Sequence, residues 1–148
     1  MLVKLTPEQC ARQWDVIKQS VAAALPPIAL NEDTLNVVLS KLMSAEMQCW
    51  VSYRKDKDVN IIDGVLTTCI WVDDFSDTKS LLIYSLLSSR SVERSWAEGT
   101  RVLKKYAALH GCSQIIAFVN NPEILPLAKR MGAEIIQFVS VPLSQNET

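Results

Sequence analysis

One histidine, four cysteines and a short run of aspartates are the first residues to ask for chemistry. His110 is the only histidine, so a Ser-His-Asp triad or a histidine-metal site would have to be assembled around it. It stands before Gly111 where an apolar helical pattern ends. A partly cationic ring there is favoured by the helix dipole, and the pair reads as a helix stop. Cys10, Cys49, Cys69 and Cys112 contain no C-x-x-C spacing, which argues against zinc. Each sits in an apolar pattern, so all four read as small core residues of a reducing compartment. A disulfide between two of them stays open. Cys112 as a nucleophile is opposed by the strand entry after Gly111, which favours a buried thiol. Asp73, Asp74 and Asp77 do not match the D-x-[DN]-x-[DN]-G calcium loop and read as a polar hairpin turn. Glu46 and Glu93 are the acids near the central strands to consider as general bases.

The composition bounds what such residues can belong to. The 148 residues are 49% hydrophobic and 21% charged, which excludes a disordered tail and predicts one globular domain over 1–148. Fifteen Lys+Arg against sixteen Asp+Glu give a net charge of -1. That balance opposes a general nucleic-acid coat. The apolar runs fall short of the about 20 residues that cross a bilayer. Met1 to Pro7 lacks the apolar core of a signal peptide. A cytoplasmic protein without nucleic-acid or membrane partners is expected.

The elements follow from period and punctuation. Leu2 to Leu5 reads as a short first strand. Thr6-Pro7-Glu8-Gln9 is a capping box with proline at the first helical position, opening a helix with Cys10, Trp14, Ile17 and Val21 on one face. Pro26-Pro27 ends it. Asn31 caps a second helix whose stripe is Leu35, Val38, Leu39, Leu42 and Met43. Met47 to Arg54 alternates as a strand. Val59 to Val72 returns as its hairpin partner, with Gly64 marking a bulge or a close backbone approach. This pairing brings Trp50 and Trp71 onto facing strands, where they are expected to pair. Leu81 to Leu87 is apolar on both faces and reads as a central strand. A helix from Val92 or Ser95 runs to His110, with Gly111 as its stop. Gln114 to Val119 is a strand, Pro122 to Met131 a short helix that Pro126 kinks or shortens, and Glu134 to Val141 a last strand. The order is β-α-α-β-β-β-α-β-α-β, a mixed α/β sheet with helices on both faces.

Four segments give this order a resemblance. Leu103-Lys104-Lys105-Tyr106-Ala107-Ala108-Leu109-His110-Gly111-Cys112 is similar to the long helix and glycine end of the GNAT acetyltransferases. Ile115 to Pro122 is similar to their fifth strand and the asparagine after it. Leu127-Ala128-Lys129-Arg130-Met131-Gly132-Ala133 resembles their closing helix, and Asp63-Gly64-Val65 their third strand. The resemblance covers nearly the whole chain in topology and implies an acyl-CoA-dependent N-acyltransferase with acetyl-CoA as cofactor and an amine as acceptor.

The chain departs from that family where its chemistry lies. The resemblance implies a glycine-rich pyrophosphate loop at Ser91 to Trp96, where backbone N–H groups and a helix terminus would hold CoA. The sequence there is Ser91-Val92-Glu93-Arg94-Ser95-Trp96, without glycine. The family's general-acid tyrosine falls on Ala128, and the aromatic after its glycine on Ala133. Two readings follow. In one, Arg90 and Arg94 are side-chain phosphate ligands, Ser95 caps the helix, and Leu86 to Ser88 position the acyl-pantetheine arm. Asn121 joins this cofactor set through its place after the fifth strand. In the other, Arg90, Glu93, Arg94 and Arg101 form a solvated surface and Trp96 plugs the groove. The second reading makes the chain a non-catalytic module that binds a protein partner or itself, similar to motif-poor phage-encoded members, some of them virion parts. No catalytic residue is assigned at this level.

Overall fold

A computed structural model describes residues 1–24, 32–88, 93–119, 122, 124–137, 139 and 141–143, with the side chains of Glu32, Ser88 and residues 93–96 outside that description. The elements are β1 (Leu2–Lys4), α1 (Pro7–Arg12), α2 (Trp14–Ala24), α3 (Glu32–Met43), β2 (Met47–Asp56), β3 (Val59–Asp73), β4 (Thr78–Ser88), α4 (Glu93–Leu109), β5 (Gln114–Ala117) and α5 (Ile124–Arg130). The five strands form one sheet in the order β1-β2-β3-β4-β5.

The capping box forms as the sequence predicts. Gln9 N–H donates to Thr6 Oγ1 at 3.2 Å and Thr6 N–H to Gln9 Oε1 at 2.9 Å. The first helix is not continuous, however. Gln13, at φ -105° and ψ 15°, separates α1 from α2. No glycine or proline marks that break, so periodicity alone ran through it. Asn31, expected to cap α3, lies outside the described residues.

β2 and β3 are joined by a tight turn in which Lys57 and Asp58 both take positive φ, 49° and 66°. That handedness matches the twist of the strands it joins. The β2–β3 register shifts beside Gly64, which pairs with Ser52 while Tyr53 pairs with Ile62. A bulge near Gly64 is what the interrupted pattern predicted. Trp50 faces Leu66 and Trp71 faces Ser80. The expected pairing of Trp50 with Trp71 is therefore corrected. Trp71 lies beyond the point where β2 begins and is half exposed, at 51%.

Helices cover both faces. On one, Cys10, Ile17, Val21 and Val38 pack against Cys49 and Val51. On the other, Leu103 and Ala107 of α4 pack against Trp50, Leu66, Leu81 and Ile83. Trp50 meets Tyr106 edge to face at 5.1 Å, and its Nε1–H donates to Thr68 Oγ1 at 3.0 Å, so its one polar atom is satisfied inside the core. None of the four cysteines is in a disulfide; Cys10 and Cys49 are buried in the same core cluster.

α4 and α5 end alike. Gly111 N–H donates to Ala108 O and Cys112 N–H to Ala107 O; Gly132 N–H donates to Lys129 O and Ala133 N–H to Ala128 O. Both glycines take positive φ, 74° and 87°. This is the Schellman stop, which only a residue tolerant of the left-handed region closes cheaply. Pro126 sits in the first turn of the seven-residue α5, where its missing N–H costs no helical bond.

The closing strand expected over Glu134 to Val141 is corrected. Residues 133–137, 139 and 141–143 form no strand. The apolar positions Ile135, Ile136, Phe138, Val139 and Val141 do not alternate strictly, so no register buries one face and solvates the other. Val139 is 89% exposed.

Candidate active site

The site begins with a change in hydrogen bonding along β4. Ser80, Leu81, Leu82 and Ile83 pair in parallel with Gln114 to Ala117 of β5. One further bond, Phe118 N–H to Ile83 O at 3.2 Å, closes this ladder. Beyond Ile83, β4 pairs with no residue of β5 among the described residues, although it runs on to Ser88 against β3. Among the described residues, no strand pairs with this edge of β4 from Tyr84 to Ser88.

The end of that pairing coincides with a bulge. Thr67 pairs with Ser85 and Thr68 with Ile83, so Tyr84 is the extra residue. A bulge bends a strand and re-aims its side chains. Tyr84 and Ser85 both turn to the face covered by α1 to α3. Ser85 Oγ lies 2.6 Å from Thr67 Oγ1, a buried bond that pins the strand on the far side of the bulge. The Tyr84 ring packs edge to face on Phe118 at 6.2 Å. Each ring stands one residue past the last β4–β5 pair, Ile83 with Ala117.

Tyr84 also lines a cleft of 680 Å³ between α3 and the sheet. Such a volume accepts a small organic molecule. Its walls are Val37 and Val38 from α3 and Leu82 and Ile70 from the strands, with Lys41 and Glu46 at one end. Lys41 Nζ pairs with the Glu46 carboxylate. Burial holds the Tyr84 phenol above its ordinary value, with a smaller contribution from Cys69. Burial likewise raises the Cys69 thiol. The phenol thus stays protonated and can donate. Deeper in the sheet, Trp50 donates to Thr68, and Thr68 Oγ1 donates to Gln48 Oε1 at 2.9 Å. This chain fixes Gln48, another lining residue.

The residues singled out from sequence distribute unevenly. Leu86 is partly buried against the α4 side of the sheet. Ser88 pairs with Gly64, and a Cβ on Gly64 would stand 3.4 Å from Leu87 O, so the end of β4 is held close by β3. Arg90, Ser91, Val92 and Asn121 lie outside the described residues, as do the side chains of Arg94, Ser95 and Trp96. Ser95 is the third residue of α4, because the helix starts at Glu93; the expected capping role is corrected. Glu46 does reach the cleft; Glu93 is the first residue of α4. Ala128 carries no proton to give, and its carbonyl takes the Schellman bond. His110 stacks on Tyr106 at 4.2 Å at the end of α4. The acidic turn closes on itself, with Ser76 Oγ donating to Asp73 at 2.7 Å. No group of three or more His, Cys, Asp or Glu side chains comes together among the described residues. No described helix is long and apolar enough to cross a membrane.

Sequence reasoning missed Tyr84. Its one signal was an aromatic hydroxyl inside an otherwise aliphatic central strand.

No protein-family model and no curated protein matches the chain. Solved structures do. An aminoglycoside acetyltransferase from an uncultured soil metagenomic sample superposes with a TM-score of 0.66 at 16% identity, covering 97% of this chain and 98% of its own. The ribosomal-protein-alanine N-acetyltransferase from Brucella melitensis biovar Abortus 2308 gives 0.63 at 14%, covering 97% and 99%. The aminoglycoside N-acetyltransferase AAC(6')-Iy in complex with CoA gives 0.65 at 12%, covering 98% and 94%. At these identities the likeness is one of fold, and it extends over the whole length on both sides. The chain has the GNAT acetyltransferase fold, with a five-stranded mixed sheet in which the parallel β4–β5 pairing ends at Ile83 and Ala117.

Proposed function

We propose that the chain is an acyl-CoA-dependent N-acyltransferase. The single observation that carries this reading is the bulge at Tyr84 placed where the β4–β5 pairing ends. An edge of β4 unpaired among the described residues, a neutral phenol and a cleft meet there. That edge fits an amide-bearing chain such as the pantetheine arm, which would add to β4 at Leu86 to Ser88 as a strand adds to a sheet edge. Arg90 and Arg94 would hold the phosphates by charge-assisted bonds in place of a glycine loop, with Asn121 as a further polar ligand. The thioester supplies the activated acyl group.

The protein's own part is positioning and proton handling. The cleft would hold the acceptor amine beside Tyr84, in the middle of β4. As the amine nitrogen bonds to the acyl carbon, the carbon–sulfur bond breaks and the nitrogen sheds a proton. Tyr84 stands to give the leaving sulfur a proton, since burial keeps the phenol in its protonated form. Glu46, on the same cleft, is paired with Lys41, so the amine's proton leaves to solvent.

Calorimetric titration with acetyl-CoA and CoA tests this. Saturable micromolar binding is expected, weakened about tenfold or more in Arg94→Ala by loss of a charge-assisted bond. No detectable binding at millimolar ligand overturns the reading and directs the search to a protein partner.

A further inference from the structure

We infer that the acceptor is a monoamine on an apolar body, and that polycationic amines are poor acceptors. The inference rests on the acyltransferase reading above. It follows from the charge inventory of the cleft. Among the described residues lining it, Lys41 and Glu46 are the charged ones, and they neutralise each other. A polycation entering this space would bring several charges to one carboxylate already engaged. The further charges of a polycation would face aliphatic walls with no ionic partner among the described lining residues. The walls instead offer Val37, Val38, Ile70 and Leu82.

The same lining bears on reactivity. An ammonium must lose its proton before it can attack. Apolar surroundings lower the pKa of a bound amine, as they do for a buried lysine. That suits a site in which the one carboxylate is held by Lys41.

The test is acetyl transfer from acetyl-CoA to n-alkylamines from propylamine to hexylamine, alongside spermidine and kanamycin, with acetyl-CoA binding measured on the same preparation. The expected result is a kcat/KM that climbs about fourfold per added methylene, the value of burying one CH₂, with spermidine and kanamycin below hexylamine. In Val37→Glu, on the exposed flank of the cleft wall, spermidine should gain about twofold to fivefold from one new surface charge. If acetyl-CoA binds but the alkylamine series is flat, or spermidine or kanamycin is preferred, the inference is overturned and the acyltransferase reading stands. If acetyl-CoA does not bind, both are overturned.

Discussion

Tyr84 gathers three properties that no neighbouring residue shares. It is the bulged residue of β4, it lines the cleft, and burial keeps its phenol protonated. Replacing it with phenylalanine keeps the ring on Phe118 and removes only the hydroxyl. Tyr84→Phe should therefore lower kcat by about a hundredfold or more, the usual worth of a positioned proton donor. KM for the amine and the melting temperature should change little. Steady-state kinetics over pH checks this: the alkaline limb of the wild-type profile should disappear in the variant, and a retained limb would remove Tyr84 from the chemistry. The sequence could not single this residue out, because a bulge is a mismatch of register between two strands. It is written in neither strand alone. Glu46 was legible as an acid at a strand entry, and its place on the cleft follows from the turn before β2. The arginines of the expected phosphate site fall beyond or at the margin of the described residues, so binding measurements decide them.

At the level of elements, punctuation carried most of the information. The capping box, the proline at a first turn and the two glycine stops are local chemistry, and each forms with the hydrogen bonds its residues dictate. Gly111 and Gly132 have no heavy atom within 4 Å of an added Cβ, so a substitution there meets strain and no clash. Gly111→Ala and Gly132→Ala should each cost about 1 kcal/mol for placing a side chain at positive φ. For a chain of this length that lowers Tm by about 3 °C. Calorimetry checks it, and an unchanged Tm would mean the helix ends re-form differently. The break at Gln13 and the missing closing strand were not legible for opposite reasons. At Gln13 the helical period continues through a backbone irregularity. After Glu134 the composition favours a strand, but strandhood needs a partner edge, which is a property of the whole sheet.

For the molecule as a whole, the titrating core groups point one way. Cys69, Tyr84 and Tyr106 are raised by burial, and Cys49 by the neighbouring Cys10 thiol and by burial. Each binds its proton more tightly in the folded chain than in the unfolded one. Their contribution is therefore complete below their ordinary values, 9.0 for the cysteines and 10.0 for the tyrosines, and is lost as pH rises through the raised ones. Cys10, lowered by the neighbouring Cys49 thiol, offsets part of this. The urea midpoint should hold steady from pH 7 to about 9 and then fall, at constant slope. A midpoint that rises across that interval would contradict the burial of these groups. The mixed sheet with helices on both faces was legible in the sequence because three successive strand segments, then a helix, then an apolar strand admit few other arrangements.

The four-residue ladder between β4 and β5 has a kinetic side. Its partners, such as Ser80 and Gln114, are brought together only after the chain has passed through α4, whereas β2, β3 and β4 follow one another as hairpins. Contacts of long sequence separation form late, and short ladders open first in the native state. The amides of Ile115 to Phe118 should thus exchange with solvent sooner than those of the meander. A molecule seated beside this ladder would slow them, so the place where this fold is weakest is also where an occupant would be felt most.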